Sequence, residues 1–399
     1  MSKLETLIRQ LCPDGVEYKK LGDIATITRG GNLQKKDFTD TGIPCIHYGQ
    51  IYTKYGLFAN KTFTFISEQS ASKQKYAEPN DIVMAVTSEN LEDVCKCVAW
   101  LGDVPAAVSG HTAIIHHSQN PKYLCYYFHS GHFQNQKNRM AHGTKVIEVT
   151  PNKLTDILLP VPPLEIQREI VRILDNFTEL TAELTAELTA ELTARKKQYE
   201  YYRNRLLTFG NDVPTYKLGD VLTFLNGRAY KQSELLSKGK YPVLRVGNFY
   251  TNDSWYYSDL ELTEDKYCDK GDLLYSWAAT LGPKIWTGEK CIFHYHIWKI
   301  IFDENTIDKN YLYYYLQNDL AEISNSTTKS TMIHVSMASM KERMIKLPSI
   351  KTQRKIAALI SSFDRLCTDI SCGLPAEIEA RQKQYEYYRD KLLTFKPLA

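Results

Sequence analysis

The sequence predicts an α+β protein built as two mixed α/β globular units in a pseudo-twofold arrangement, separated by two long antiparallel coiled-coil helices. Three observations carry this reading. The chain repeats itself at an offset of 186 residues, each repeat ends in a proline-marked boundary followed by a helical stretch, and the first stretch carries a leucine every fourth residue.

The repeat is clearest in the helical parts. Arg195–Phe209 (RKKQYEYYRNRLLTF) and Arg381–Phe395 (RQKQYEYYRDKLLTF) are identical at twelve of fifteen positions, which fixes the architecture as a duplication. Fainter echoes run through the rest. YKKLGDI (18–24) answers YKLGDV (216–221), IPCIHYGQI (43–51) answers YPVLRVGNF (241–249), and YLCYYF (123–128) answers YLYYYL (311–316). Asn80–Val83 answers Gly271–Leu274, His111 answers His296, and Gln167-Arg168 answers Gln353-Arg354.

Each half opens with about 145 residues of mixed character. Alternating apolar residues in Ile43–Ile51 and Cys291–Phe302, bounded by Gly, Asn and Asp, predict strands there. Pro160, Pro162 and Pro163, and in the second half Pro348, suit the start of a helix. The resulting division is 1–162, 163–209, 210–348 and 349–399, alternating globular unit and spacer helix. Three tandem Thr-Ala-Glu-Leu units occupy 181–192, a composition that favours helix. Leu180, Leu184, Leu188 and Leu192 form a stripe that drifts about 40° per step and needs a partner helix wrapping with it. The stretch 351–395 is that partner, interrupted or kinked at Gly373 and Pro375. Tyr199, Tyr202 and Leu206, with Tyr385 and Tyr388 in the second half, are assigned to packing between the helices. The separation from Gln167 to Arg195 recurs from Gln353 to Arg381, about 42 Å of helix.

Bulk properties narrow the function. The 399 residues suffice for two or three domains, and 43% hydrophobic and 24% charged residues are ordinary for a soluble globular protein. No apolar run reaches membrane-helix length and the N-terminus lacks a signal-peptide core, so a cytoplasmic protein is expected. Nine cysteines, with Cys95 and Cys97 one residue apart, fit reduced buried thiols rather than a zinc knuckle or redox pair. The net charge of +3 does not itself argue for nucleic acid.

No catalytic motif is found. Gly282–Lys290 (GPKIWTGEK) has the wrong spacing for a phosphate loop, and neither an Asn-Pro-Pro-aromatic motif nor a GxG cofactor loop is present. Pro13-Asp14 followed by Glu17-Tyr18-Lys19 places its carboxylates too close in sequence to sit on neighbouring strands around Mg²⁺, and predicts a turn. His294 and His296 share a face of an expected strand but lack a third metal ligand, and His116-His117 is expected on the surface.

The duplicated plan, the segment GTKVIEVTPNKLTDILLPVPPLEIQREIVRILD (143–175), the TAEL units and the twin RxKQYEYYR segments together resemble the specificity subunits of type I restriction–modification systems, and the IC subclass in particular. The second half departs from the pattern, since Ser324–Ile356 lacks the second proline and the acidic residue before Gln353. The resemblance implies two target-recognition domains, each reading one half of a bipartite site in double-stranded DNA. It implies helices that set the gap and dock two methyltransferase subunits, and motor-nuclease (restriction) subunits that complete the complex. It also implies that this chain is not an enzyme and binds no cofactor, while partners use S-adenosylmethionine, ATP and Mg. The alternatives are a duplicated DNA-binding regulator and a coiled-coil scaffold, both without methyltransferase partners.

Sequence reading needs donors and acceptors on loops, with basic groups for phosphate. The candidates in the first unit are Arg29, Asn32, His47, Tyr48, Gln50, Thr87, Ser88 and Lys145. In the second they are Asn226, Arg228, Tyr230, Arg245, Asn248, Ser276, Trp277 and Lys329. They fall where the halves align yet differ, as in His47-Tyr48-Gly49-Gln50 against Arg245-Val246-Gly247-Asn248.

Overall fold

The computed structural model describes residues 2–250, 252–326, 334–368 and 373–398. The chain partitions into two compact units, one of residues 1–187 with 378–399 and one of 188–377. The long helix Leu164–Leu207 passes from the first into the second. Among the described residues no helix is long and apolar enough to cross a membrane.

Two five-stranded sheets form the first unit. One has the order 25–29, 112–117, 82–85, 97–100, 58–59, and the other 38–39, 64–66, 43–46, 106–108, 75–77. Ile82–Ala85 and Cys97–Trp100 are buried at every residue, as expected of strands covered on both faces. Trp100, Tyr123, Tyr126 and Phe128 fill the core beneath them. The chain end closes this unit. Val16 bridges Pro397, and Asp390 accepts a hydrogen bond from the Gly131 amide at 3.0 Å.

The second unit repeats the plan with four strands per sheet, in the orders 223–226, 297–301, 273–276, 282–285 and 256–258, 241–244, 291–293, 267–268. Each unit joins its second sheet through one parallel pair, Ile43–Ile46 with Ala106–Val108 and Tyr241–Leu244 with Cys291–Phe293. A two-stranded ribbon ties the entry of each globular part to its exit, 18–20 with 158–160 and 215–217 with 344–346.

Helices follow the prolines, at Leu164 and Ile350. A buried glutamine fastens each start. In the first unit Gln167 Oε1 accepts the Asn120 amide at 3.0 Å while Nε2 donates to the Pro162 carbonyl at 2.8 Å. In the second, Gln353 accepts the Asp308 amide at 2.9 Å and donates to the Pro348 and Thr306 carbonyls at 2.8 and 2.9 Å. Gln353 is fully buried, so Gln353→Leu strands three backbone groups without water. The expected loss is about 2–4 kcal/mol of unfolding free energy, read as a lowered urea midpoint with the slope unchanged.

The helix pairing is antiparallel within each unit. In the first, Thr178 lies 3.0 Å from the Tyr385 hydroxyl and Phe177 packs 6.1 Å from the Tyr388 ring. In the second, Tyr202 stacks on Phe363 at 6.0 Å, and Tyr199 packs with Ile356, Ile360 and Cys367. Tyr202–Phe363 and Tyr388–Phe177 are one contact at the repeat offset.

The stripe itself is uneven. Leu188 is buried and Leu184 and Leu192 half-buried, whereas Leu180 is 60% exposed. A spacing of four against 3.6 residues per turn carries successive leucines around the helix, and Leu180 ends on the rim of the contact. Tyr202 and Tyr388 likewise keep outer edges in solvent while their faces pack. The second-half stretch is two helices, Ile350–Thr368 and Leu374–Leu392, with Gly373 and Pro375 at the start of the latter.

Three local expectations need correction. The strand at Ile43 ends at Ile46, and His47 caps a helix over Tyr48–Thr53 by accepting the Gly49 amide at 3.2 Å. Cys291–Phe302 is two strands, Cys291–Phe293 and Ile297–Ile301, so His294 and His296 occupy the turn between them. His117 is half-buried, and burial holds its pKa down at about 4; only His116 is on the surface, paired with Asp81. The eight described cysteines are free, and all but Cys12 are buried.

Candidate nucleic-acid interface

In each unit the strand ends and loops gather polar and aromatic side chains at one place, and His111 and His296 are the matched residues of the two clusters. The first-unit cluster centres on His111. Its Nδ1 lies 3.1 Å from Thr87 Oγ1, and its ring lies 4.9 Å from that of Tyr48, which in turn lies 4.6 Å from His47. The Tyr48 amide donates to Ser109 Oγ at 2.9 Å, and Tyr52 donates its hydroxyl to the Thr87 carbonyl at 2.6 Å. Gln50 is buried and accepts from Thr64, so it braces the site from below. Ser88 pairs with Ile147 across a short ribbon. From strand end 29, Arg29 reaches the Gly110 carbonyl at 2.9 Å and Glu148 at 2.7 Å. Asn32 and Lys145 are exposed on flanking loops. Burial, then Lys35, lowers the pKa of His47 and favours a neutral ring.

An aromatic cluster occupies the equivalent place in the second unit. His294, Tyr295 and His296 form the turn, with His294 and His296 rings 4.8 Å apart. Trp277 donates Nε1–H to the Tyr295 carbonyl at 2.7 Å, meets His296 edge-on at 5.0 Å and stacks on Trp298 at 5.9 Å. The Tyr295 ring is exposed. Tyr230 stacks over His294 and donates to the Phe293 carbonyl at 3.3 Å. Arg228 is held by Glu234 through two hydrogen bonds, at 3.0 and 2.8 Å. Burial, then His296 and Arg245, holds the His294 pKa at about 4, and burial also lowers that of His296. Neutral histidines present one donor and one acceptor each, which suits reading base edges.

Two second-unit candidates hydrogen-bond within the fold. Ser276 is fully buried and donates to the Ala278 carbonyl. Asn248 donates to the Asn252 and Ser254 carbonyls and so shapes its loop. The Asn226 side chain is exposed, and its backbone carbonyl accepts from Lys266. Lys329 lies outside the described residues. His111 and Tyr295, which the structure brings into these clusters, are not among the residues singled out from the sequence. The match of His111 to His296 in the repeat was the available signal for the first.

One trio among the described residues has metal-ligand chemistry, Cys97, Cys125 and His129. Its polar atoms are engaged within the protein. His129 Nδ1 lies 2.8 Å from the Cys125 carbonyl, and Cys125 donates its thiol to the Leu57 carbonyl at 2.9 Å. Burial pushes the Cys97 thiol pKa well up, so it stays protonated within the core.

Duplicated two-sheet units, each ending in a long paired helix and each carrying a polar–aromatic cluster at matched loops, define a protein with two similar recognition heads. The family described as the type I restriction modification DNA specificity domain matches residues 13–194 and 211–380, and the chain belongs to this family. A type I restriction enzyme specificity subunit of Haemophilus influenzae is 32% identical over 95% of this chain and 96% of its own. Two solved structures share the fold. One is from work on assembly of the type I R-M system, with TM-score 0.74, 17% identity, and 96% and 98% of the two chains covered. The other is the HsdS subunit of Thermoanaerobacter tengcongensis, with TM-score 0.57, 18% identity, and 96% of each chain covered.

Proposed function

We propose that this chain is the non-catalytic recognition subunit of a type I restriction–modification complex. It reads a bipartite, asymmetric site in double-stranded DNA, one unit per half-site, and directs adenine methylation and restriction by partner subunits. The observation that carries this is the matched pair of clusters. The same turn of the same fold holds His47 and Tyr48 in one unit and Arg245 and Val246 in the other, so two units of one plan carry different side chains at one place. Two methyltransferase subunits dock on the helices, and restriction subunits join them. S-adenosylmethionine, ATP and Mg belong to those partners, and the complex works in the cytoplasm.

The test is direct. The purified chain is expected to shift duplex DNA carrying its site in a salt-sensitive way, and to show no methylation, nuclease or ATPase activity until the methyltransferase is added. Any of those activities in a homogeneous single-chain preparation contradicts the assignment.

A further inference from the structure

Three arginines stand among the site candidates, and the structure separates them. Arg29 is neutralised by Glu148 and Arg228 by Glu234. Arg245 has no carboxylate partner among the described residues. Its Nε is buried without a hydrogen-bond partner, and its guanidinium carbon lies 4.4 Å from the centre of the Tyr256 ring. A half-buried cation without a carboxylate partner is costly, and an acceptor that reaches its terminal nitrogens recovers that cost. Stacking on an aromatic face holds the guanidinium plane in one orientation beforehand.

The position points to the acceptor. Arg245 follows the strand Tyr241–Leu244 and leads into the short helix Val246–Tyr250, beside the His294 turn. His47 holds the matching place in the first unit, after Ile43–Ile46 and before Tyr48–Thr53. Phosphates recur along every duplex, so a phosphate contact made by two heads of one shape is expected to keep one chemistry at matched positions. A base contact has to differ where the bases differ. Arginine against histidine at this position is a difference of that second kind. Among base edges, the planar fork of a guanidinium fits the paired acceptors O6 and N7 of guanine.

We propose that Arg245 reads a guanine in the half-site of the second unit, through two hydrogen bonds to O6 and N7 in the major groove. This rests on the DNA-reading function proposed above.

The experiment uses the chain assembled with its methyltransferase partner on duplexes carrying the recognised site. Each guanine of the second half-site is replaced in turn by 7-deazaguanine, which lacks the N7 acceptor. One position is expected to weaken binding by the wild-type complex by about 5- to 150-fold. The Arg245→Ala complex, with its donors lost, is expected to bind more weakly and to be indifferent to the same replacement. The wild-type arm does not depend on how well a variant folds. A second half-site without a G·C pair, or one where no 7-deazaguanine weakens binding, overturns the proposal. So does an Arg245→Gln complex that loses affinity equally on all sequences with a shallower salt dependence, which marks a phosphate contact. A complex that recognises no sequence at all contradicts the functional reading instead.

Discussion

Exchanging residues 213–348 for the corresponding segment of a relative is expected to change one half of the methylated sequence and leave the other half intact. The segment lies wholly within the second unit and contains its two four-stranded sheets. Its ends meet at one place. Thr215–Lys217 pairs with Met344–Lys346, and the Leu347 amide donates to the Pro214 carbonyl at 3.0 Å. A graft joined there replaces the cores around Leu244, Phe249, Tyr275 and Trp298, and meets the helices through Tyr311 and Tyr314, which pack with Tyr199 and Ile356. The first-unit core, with Trp100, Tyr123 and Phe128, is untouched. Sequencing the methylated adenines directed by the chimera checks this. A change in both half-sites shows that recognition is shared between the units and contradicts the two-head account.

Deleting Thr185–Leu188 is expected to yield an active complex with the same half-sites and a shorter gap. Loss of four residues shortens the helix by about 6 Å and rotates its C-terminal remainder by about 40°. Leu192 then takes nearly the direction Leu188 had, and the sequence TAEL still follows Leu184. DNA rises about 3.4 Å and turns about 35° per base pair, so the gap should shorten by one or at most two base pairs. Deleting only Thr185 and Ala186 turns the remainder by about 200°. The two units are joined by two covalent paths, the helix Leu164–Leu207 and the pair Ile350–Thr368 and Leu374–Leu392. Half a turn in one path with none in the other breaks the pairing at Tyr202–Phe363 or at Phe177–Tyr388, and assembly is expected to fail. Equal tolerance of both deletions with unchanged spacing contradicts the helix as a ruler.

The parts of the fold legible in the sequence are those whose side chains pack against a second copy of themselves. The helices were legible because they pair with each other, so both copies keep the same side chains. Phe177 against Tyr388 and Phe363 against Tyr202 is that constraint written twice. Gln167 and Gln353 matched because each satisfies the same backbone groups at a helix start. The stretches Ile43–Ile51 and Cys291–Phe302 were misread because short apolar runs do not distinguish strand from helix or show a turn. His47 ends one strand by capping a helix, and Tyr295 sits in a turn that alternation concealed. The clustering of the candidate residues was partly legible. Tyr48 and Thr87 meet His111, with His47 beside Tyr48 and Arg29 on the Gly110 carbonyl, whereas Ser276 and Asn248 hydrogen-bond within the fold. Charge balance separates Arg245 from Arg228, and it depends on Glu234, whose place beside Arg228 only the folded loop reveals.

The central claim is that two heads of one shape read two different half-sites a fixed distance apart. Expressing this chain with its methyltransferase partner and sequencing every methylated adenine in the host genome tests it most directly. The expected result is one asymmetric motif, two short defined segments separated by an unspecified gap of constant length. A single uninterrupted motif, two identical halves, or methylation without sequence preference would contradict it.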